Sequence, residues 1–194
     1  DDVNPKYRSR LVARQLKAMD KSGESFFAPT PPLEALRTII SLAATSIGDW
    51  RPCYDPTSER RTQIGMMDIS RAYFNAKVDD GVHTYVQLPP EDADHGVLCA
   101  KLVRHMYGTR AAADGWQEEY SSTLVSRLGF VQGISSPCLF RHPERKIYLT
   151  VHGDDFTPAG AKEGIDWFEE SMKELYELTI QPRLGPGPRD GKEG

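Results

Sequence analysis

The stretch KIYLTVHGDDFT, residues 146–157, constrains the fold of this 194-residue chain more than any other. Ile147 to Val151 is a run of strand-forming residues, His152-Gly153-Asp154-Asp155 interrupts it, and Phe156 and Thr157 resume it. Apolar residues flanking a Gly-Asp step predict a β-hairpin. The unusual part is the pair of adjacent carboxylates at its tip. Neighbouring like charges cost free energy unless something offsets them. Two readings stay open here: plain turn chemistry, or a ligand pair for a divalent metal.

The rest of the chain supplies partners for that hairpin. CLFRH (138–142) predicts a strand paired with KIYLTV. QIGMMDIS (63–70) predicts a short buried strand, RAYFNAKV (71–78) one or two helical turns, and TYVQLPP (84–90) a strand stopped by prolines, with VLCAKLV (97–103) returning beside it. A first helix has Thr30 as N-cap, Leu33, Leu36, Ile40, Ala43 and Ile47 at helical spacing, and Gly48 as its end. Residues 111–128 predict a second, with Trp116, Tyr120, Leu124 and Leu128 on one stripe and Gly115 weakening it. Residues 162–178 predict a third, with Ile165, Phe168, Met172 and Leu175 facing inward. Hairpins with helices between them imply an α+β fold with an antiparallel sheet.

A composition of 39% hydrophobic and 27% charged residues is that of an ordinary globular domain with a real core. No apolar run reaches the roughly 18 residues that cross a bilayer, and the first residues have no apolar signal core. Cys53, Cys99 and Cys138 are odd in number and widely spaced, which points away from a disulfide framework or a zinc site and toward a reduced, intracellular protein. The absence of an initial Met and the Gly/Pro/charge-rich last dozen residues read as cut points in a longer polypeptide. A net charge of −4 hides a local basic stretch, KYRSRLVARQLK (6–17). As a strand it would put Lys6, Arg8, Arg10 and Arg14 on one face, with Val12 among them, and Tyr7, Ser9, Leu11 and Ala13 on the other. That suits phosphate contact; the competing reading is a charged edge strand that blocks aggregation.

A third aspartate, Asp68 in GMMDISRAYF, also ends an apolar strand. Antiparallel neighbours would bring it to Asp154 and Asp155. Three such carboxylates suit two Mg²⁺ ions about 4 Å apart, which activate a 3′-hydroxyl and stabilise a leaving pyrophosphate. Tyr73, five positions after Asp68, could stack under a nucleotide sugar and occupy the space of a 2′-hydroxyl. Its commoner fate, shared with Phe74, is core packing.

These blocks, in order, resemble the reverse transcriptase of Copia-type LTR retrotransposons, the Pseudoviridae pol polyprotein. RSRLVARQ is similar to the family's K-x-R-L-V-A-R-G strand, and ESFFAP to its E-T-F-A-P segment. MDISRAYFNAK matches M-D-V-x-x-A-F-L-N-G, and TYVQLPPED matches V-Y-M-x-Q-P-P-G-F. CAKLVRHMYGTRAAADGW follows C-K-L-x-x-S-L-Y-G-L-K-Q-A-P-R-A-W, LVSRLGFVQGISSPCLF follows the G-F…D-P-x-L-F block, and HGDD stands for Y-V-D-D. The similarity runs from about residue 6 to residue 180.

The resemblance implies the fingers and palm of a right-hand polymerase, without the thumb. Residues 1–62 would be the N-terminal part of the fingers and 63–194 the palm, with a fingers segment at about 84–115, in a fragment of a longer polyprotein. Asp68, Asp154 and Asp155 would bind the metals (Mg²⁺, with Mn²⁺ as alternative), with the Ile69 carbonyl as a further ligand. Arg10, Arg14, Tyr73 and Arg110 would contact the deoxynucleotide. Lys6, Arg8, Tyr107, Gly108, His152 and Gly153 would face template and primer. An RNA template, a DNA primer and dNTPs would be the partners, with integrase and ribonuclease H elsewhere in the polyprotein and no membrane. The expected location is a cytoplasmic particle or the nucleus. Lys162 and Lys173 are candidates to protonate pyrophosphate.

The chain departs from the family pattern at Ala111, Ala113 and Asp114, which replace glutamine, proline and arginine, and at His152 and Gly153, which replace tyrosine and valine. Two further readings therefore stand beside the polymerase. One is an eroded or domesticated remnant that binds nucleic acid or a partner without catalysis. The other is a different two-metal phosphotransferase such as a nuclease, which leaves Tyr73 and the basic stretch unexplained.

Overall fold

The computed structural model describes residues 9–15, 33–45, 51–187 and 190. Lys6 and Arg8, the Thr30 cap, the ESFFAP segment and Gly48 lie outside the described residues. The described residues form two compact units, one of 9–15 and 73–116, the other of 33–45, 51–72 and the residues from 117 onward.

The larger unit is built on an antiparallel sheet. Its strands are β1 (Thr62–Ile64), β2 (Met67–Ile69), β5 (Val131–Gln132), β6 (Leu139–His142), β7 (Ile147–His152), β8 (Asp155–Ala161) and β9 (Leu178–Ile180). They run in the order β5-β6-β7-β8-β2-β9, and β1 also pairs with β8. β1 and β2 are one chain direction interrupted at Gly65 and Met66. Pro158 faces the interruption: it has no N–H for the ladder, and its carbonyl accepts the Gly65 N–H at 2.8 Å. A Cβ on Gly65 would come within 3.1 Å of the Pro158 ring, so glycine allows the kink.

Alternation then sorts the side chains. Ile147, Leu149, Val151, Phe156 and Met67 share one face and are at most 1% exposed. Helix α3 (Lys162–Leu175) covers that face; a Cβ on Gly164 would sit 3.2 Å from Ile147, which explains the glycine at this crossing. Ile165, Phe168 and Met172 are fully buried as their spacing predicts, each contributing about 1.5–3 kcal/mol. Helix α2 (Ala112–Ser122) adds Tyr120, whose ring is 5.6 Å from Phe156. The helix expected to run to residue 128 changes to a wider π-type turn over Thr123–Arg127, where the Tyr176 hydroxyl donates to Thr123 Oγ1 at 3.2 Å.

Helix α1 (Leu33–Ala44) lies over the opposite face, where Leu33 and Leu36 line a cavity of about 480 Å³ together with Thr150, His152, Asp155 and Thr157. The expected stripe is corrected here. Leu33, Leu36 and Ile40 are exposed, and Ala35 and Ile39 are the buried positions. A second set of residues, Arg61, Gln63, Asp166, Glu169, Arg183 and Asp190, ties the chain after β9 to β1 and α3. Arg183 donates to the two Glu169 carboxylate oxygens from Nε (2.8 Å) and Nη2 (2.6 Å), and its Nη1 reaches Asp166 and Gln63.

The smaller unit contains the two-stranded sheet of β3 (Tyr85–Gln87) and β4 (Cys99–Lys101) and a 3₁₀ turn over Ala72–Asn75 that begins one residue before it. The basic stretch is not a strand over residues 9–15. Its backbone bonds go instead to a turn: Ala13 N–H donates to Tyr107 O (2.8 Å) and Gln15 N–H to Gly108 O (3.2 Å). Among the described residues no helix is long and apolar enough to cross a membrane.

Candidate active site

Strands β7 and β8 are joined by a two-residue turn, Gly153-Asp154, closed by the pair His152↔Asp155. Gly153 has φ +64° and Asp154 is not in the left-handed region, the pattern of a II′ hairpin turn. The glycine that departs from the family pattern is thus the residue this turn favours.

Asp68 on β2 stands directly opposite Asp155 on β8, and the Ile69 N–H donates to Asp154 O at 2.9 Å, locking the register. The pairings His152↔Asp155, Asp155↔Asp68 and Asp68↔Thr179 form one row across four strands, on the face away from the Val151–Phe156–Met67 core. Cross-strand pairs bring Cβ atoms to about 5 Å. Asp155 and His152 are exposed, Asp68 and Asp154 half-buried, and Ile69 buried. Partial desolvation, then the charge of Asp154, then that of Asp68, push the Asp155 carboxyl above its usual pKa; His152 opposes the shift.

Carboxylate and main-chain oxygens are the donors that Mg²⁺ and Mn²⁺ prefer. The raised pKa of Asp155 marks a place where added positive charge lowers the energy. In that sense the residues fit a divalent cation. The side chains as placed do not close a ligand set: among the described residues no three His, Cys, Asp or Glu side chains gather tightly enough to hold a metal.

The two candidate lysines are elsewhere. Lys162 follows the far end of β8, about 20 Å along the strand from Asp155, and pairs with Asp166 (2.8 Å) and Glu59 (3.0 Å). Lys173 pairs with Glu170 on α3, behind the sheet. Neither is brought to the carboxylates.

In the smaller unit, the rings of Tyr73 and Tyr107 lie 4.5 Å apart, and the Arg10 guanidinium sits 5.0 Å from the Tyr107 centroid. Arg110 N–H donates to Gln15 Oε1 (2.9 Å), and Gly108 adopts φ +88°. Arg14 is exposed and lines a cleft of about 1070 Å³ with Tyr85, Pro89, Pro90 and His95. Sequence reasoning missed Arg104, whose Nη1 holds the carbonyls of Phe74 (3.2 Å) and Asn75 (2.8 Å) and so fixes the turn that carries Tyr73. It also missed Arg71, a left-handed residue (φ +53°) ion-paired with Glu177 just beyond Asp68. Neither has a signal in a single sequence, because each acts through a distant carbonyl or carboxylate.

A family model for reverse transcriptase (RNA-dependent DNA polymerase) matches residues 1–181. The chain is also 24% identical over 168 residues to the retrovirus-related Pol polyprotein from transposon TNT 1-94 of Nicotiana tabacum, covering 82% of this chain. It spans 11% of that polyprotein's length. With the motif blocks in family order and the match covering nearly the whole chain, this protein belongs to the reverse transcriptase (RNA-dependent DNA polymerase) family, in its Copia-type branch.

Proposed function

We propose that this chain forms the fingers and palm of an RNA-directed DNA polymerase that adds deoxynucleotides to a primer 3′-hydroxyl by two-metal nucleotidyl transfer. The observation that carries the reading is the register Asp155↔Asp68, which sets two carboxylates opposite each other, next to Asp154, in a chain of this family. Asp68, Asp154 and Asp155, with the Ile69 carbonyl, would hold two Mg²⁺ ions, or Mn²⁺ in their place. Bound there, the ions supply activation of the 3′-hydroxyl and neutralisation of charge on the α-phosphate and pyrophosphate.

The chain's own residues bind and orient. Arg10, Arg14 and Arg110 face the triphosphate. Tyr73 lies beneath the deoxyribose and fills the space of a 2′-hydroxyl. Lys6, Arg8, Tyr107, Gly108, His152 and Gly153 contact template and primer. Residues 1–62 would be the N-terminal part of the fingers and 63–194 the palm, with a fingers segment at about 84–115, within a polyprotein that also carries integrase and ribonuclease H.

One further reading has its own observations: Asp114 stands where the family pattern has arginine, and the carboxylates do not close a ligand set. It makes the chain a non-catalytic remnant that still binds nucleic acid. Primer extension on an RNA template with Mg²⁺, using a longer polypeptide that includes the thumb, separates the two. Extension that disappears in Asp154→Asn supports the polymerase. Template–primer binding without any extension refutes it and favours the remnant.

A further inference from the structure

Tyr107 stands at the meeting point of two elements expected to serve the nucleotide. Its ring is 4.5 Å from that of Tyr73, tilted by 40°, and takes Phe74 edge-on at 5.6 Å. The Arg10 guanidinium lies over the same ring. The main chain repeats this arrangement. Tyr107 O and Gly108 O accept the N–H groups of Ala13 and Gln15, while His105 N–H donates to Ala76 O at 3.0 Å and Arg104 holds the carbonyls of Phe74 and Asn75. The segment 104–108 therefore grips the Arg10 segment on one side and the Tyr73 turn on the other. Gly108 makes the first grip close: a Cβ there would fall 1.8 Å from Ala13 O. Arg10 is an exposed, many-rotamer side chain. A π face under its guanidinium narrows those rotamers at low cost.

We propose that Tyr107 is a positioning residue for nucleotide selection, holding Tyr73 and Arg10 in one relation so that sugar discrimination and triphosphate binding depend on the same ring. This rests on the polymerase reading and gives Tyr107 a role beside the template contact expected of it. Tyr107→Phe keeps the π face; Tyr107→Leu keeps bulk and backbone bonds but loses it.

Three measurements test the proposal. In the protein without nucleotide, the Arg10 Nε–H NMR resonance is ring-current shifted in wild type and Tyr107→Phe, and the shift is lost in Tyr107→Leu. By calorimetry with Mg²⁺, Tyr107→Leu binds TTP about two- to fivefold more weakly, while Tyr107→Phe binds like wild type. In primer extension by the longer polypeptide that includes the thumb, Tyr107→Leu raises the TTP KM and relaxes the preference for TTP over the ribonucleotide with the same base, each about two- to fivefold, with kcat little changed. A fall in kcat or Tm with unaltered KM and selectivity means a merely structural role and overturns the proposal, as does an unchanged Arg10 resonance. If no form extends a primer, the polymerase reading fails on its own. The calorimetry then decides this proposal, and equal TTP binding by Tyr107→Leu and wild type overturns it.

Discussion

Replacing Asp155 with asparagine should stabilise the protein when no divalent metal is present. The Asp155 carboxyl faces Asp68 across the ladder and adjoins Asp154, and its pKa is raised from 3.8 by partial desolvation and then by those two charges. A carboxyl with a higher pKa folded than unfolded makes the folded state bind more protons. Its contribution is full below about pH 3.8 and is lost as pH rises through the folded value. At pH 7 the ionised group therefore opposes folding. Asp155 is exposed, so a water-like dielectric applies, and two charges about 5 Å apart then repel by about 0.8 kcal/mol. Salt screening about halves each of the two repulsions, from Asp154 and from Asp68, leaving about 0.5–1 kcal/mol in all and a Tm rise of about 1–3 °C for Asp155→Asn in EDTA. With 10 mM Mg²⁺ a millimolar site would stabilise wild type by about 1.4 kcal/mol, and the variant should gain less than half of that. Differential scanning calorimetry at pH 7 and pH 3.5, with and without Mg²⁺, reads all of this. A variant less stable than wild type in EDTA at pH 7, or one with an undiminished Mg²⁺ response, would refute the reasoning.

Two further outcomes follow from backbone and ion-pair geometry. Restoring the family's valine, Gly153→Val, should destabilise by about 1–2 kcal/mol because φ +64° is strained for a β-branched residue, although open space surrounds the Cβ position; Gly153→Asn should cost much less, and urea midpoints compare them. Glu169→Ala removes the bidentate partner of Arg183, whose side chain is 17% exposed, and should lower stability by about 3 kcal/mol, read as a Tm drop of about 9 °C. A change below 1 kcal/mol would show that Asp166 and Gln63 suffice for the guanidinium.

The hairpin, the inward stripe of α3 and the meeting of Asp68 with the Gly153-Asp154 turn were legible because each rests on a local period or on alternation. The α1 face was not. Its sequence LEALRTIISLAA is apolar on two overlapping stripes, and the small Ala35 lets the helix approach where leucines would hold it off. Residues 9–15 carry strand composition without a strand, since Tyr107 and Gly108 take the bonds a ladder would use. Strand β9 is three residues long, and only its pairing with β2 defines it. The roles of Tyr107 and Arg104 depend on contacts across many residues of chain, which no spacing encodes.

The position of β2 also bears on how a working piece of this protein can be cut. β2 has β8 on one edge and β9 on the other, and both are made long after it. A polypeptide ending before Leu178 would leave the edge of the Asp68 strand bare, a template for intermolecular pairing, and would also lose Arg183 and Asp190. During synthesis the same strand waits for both neighbours. Self-association of nascent or truncated chains is thus the hazard most directly tied to the placement of Asp68.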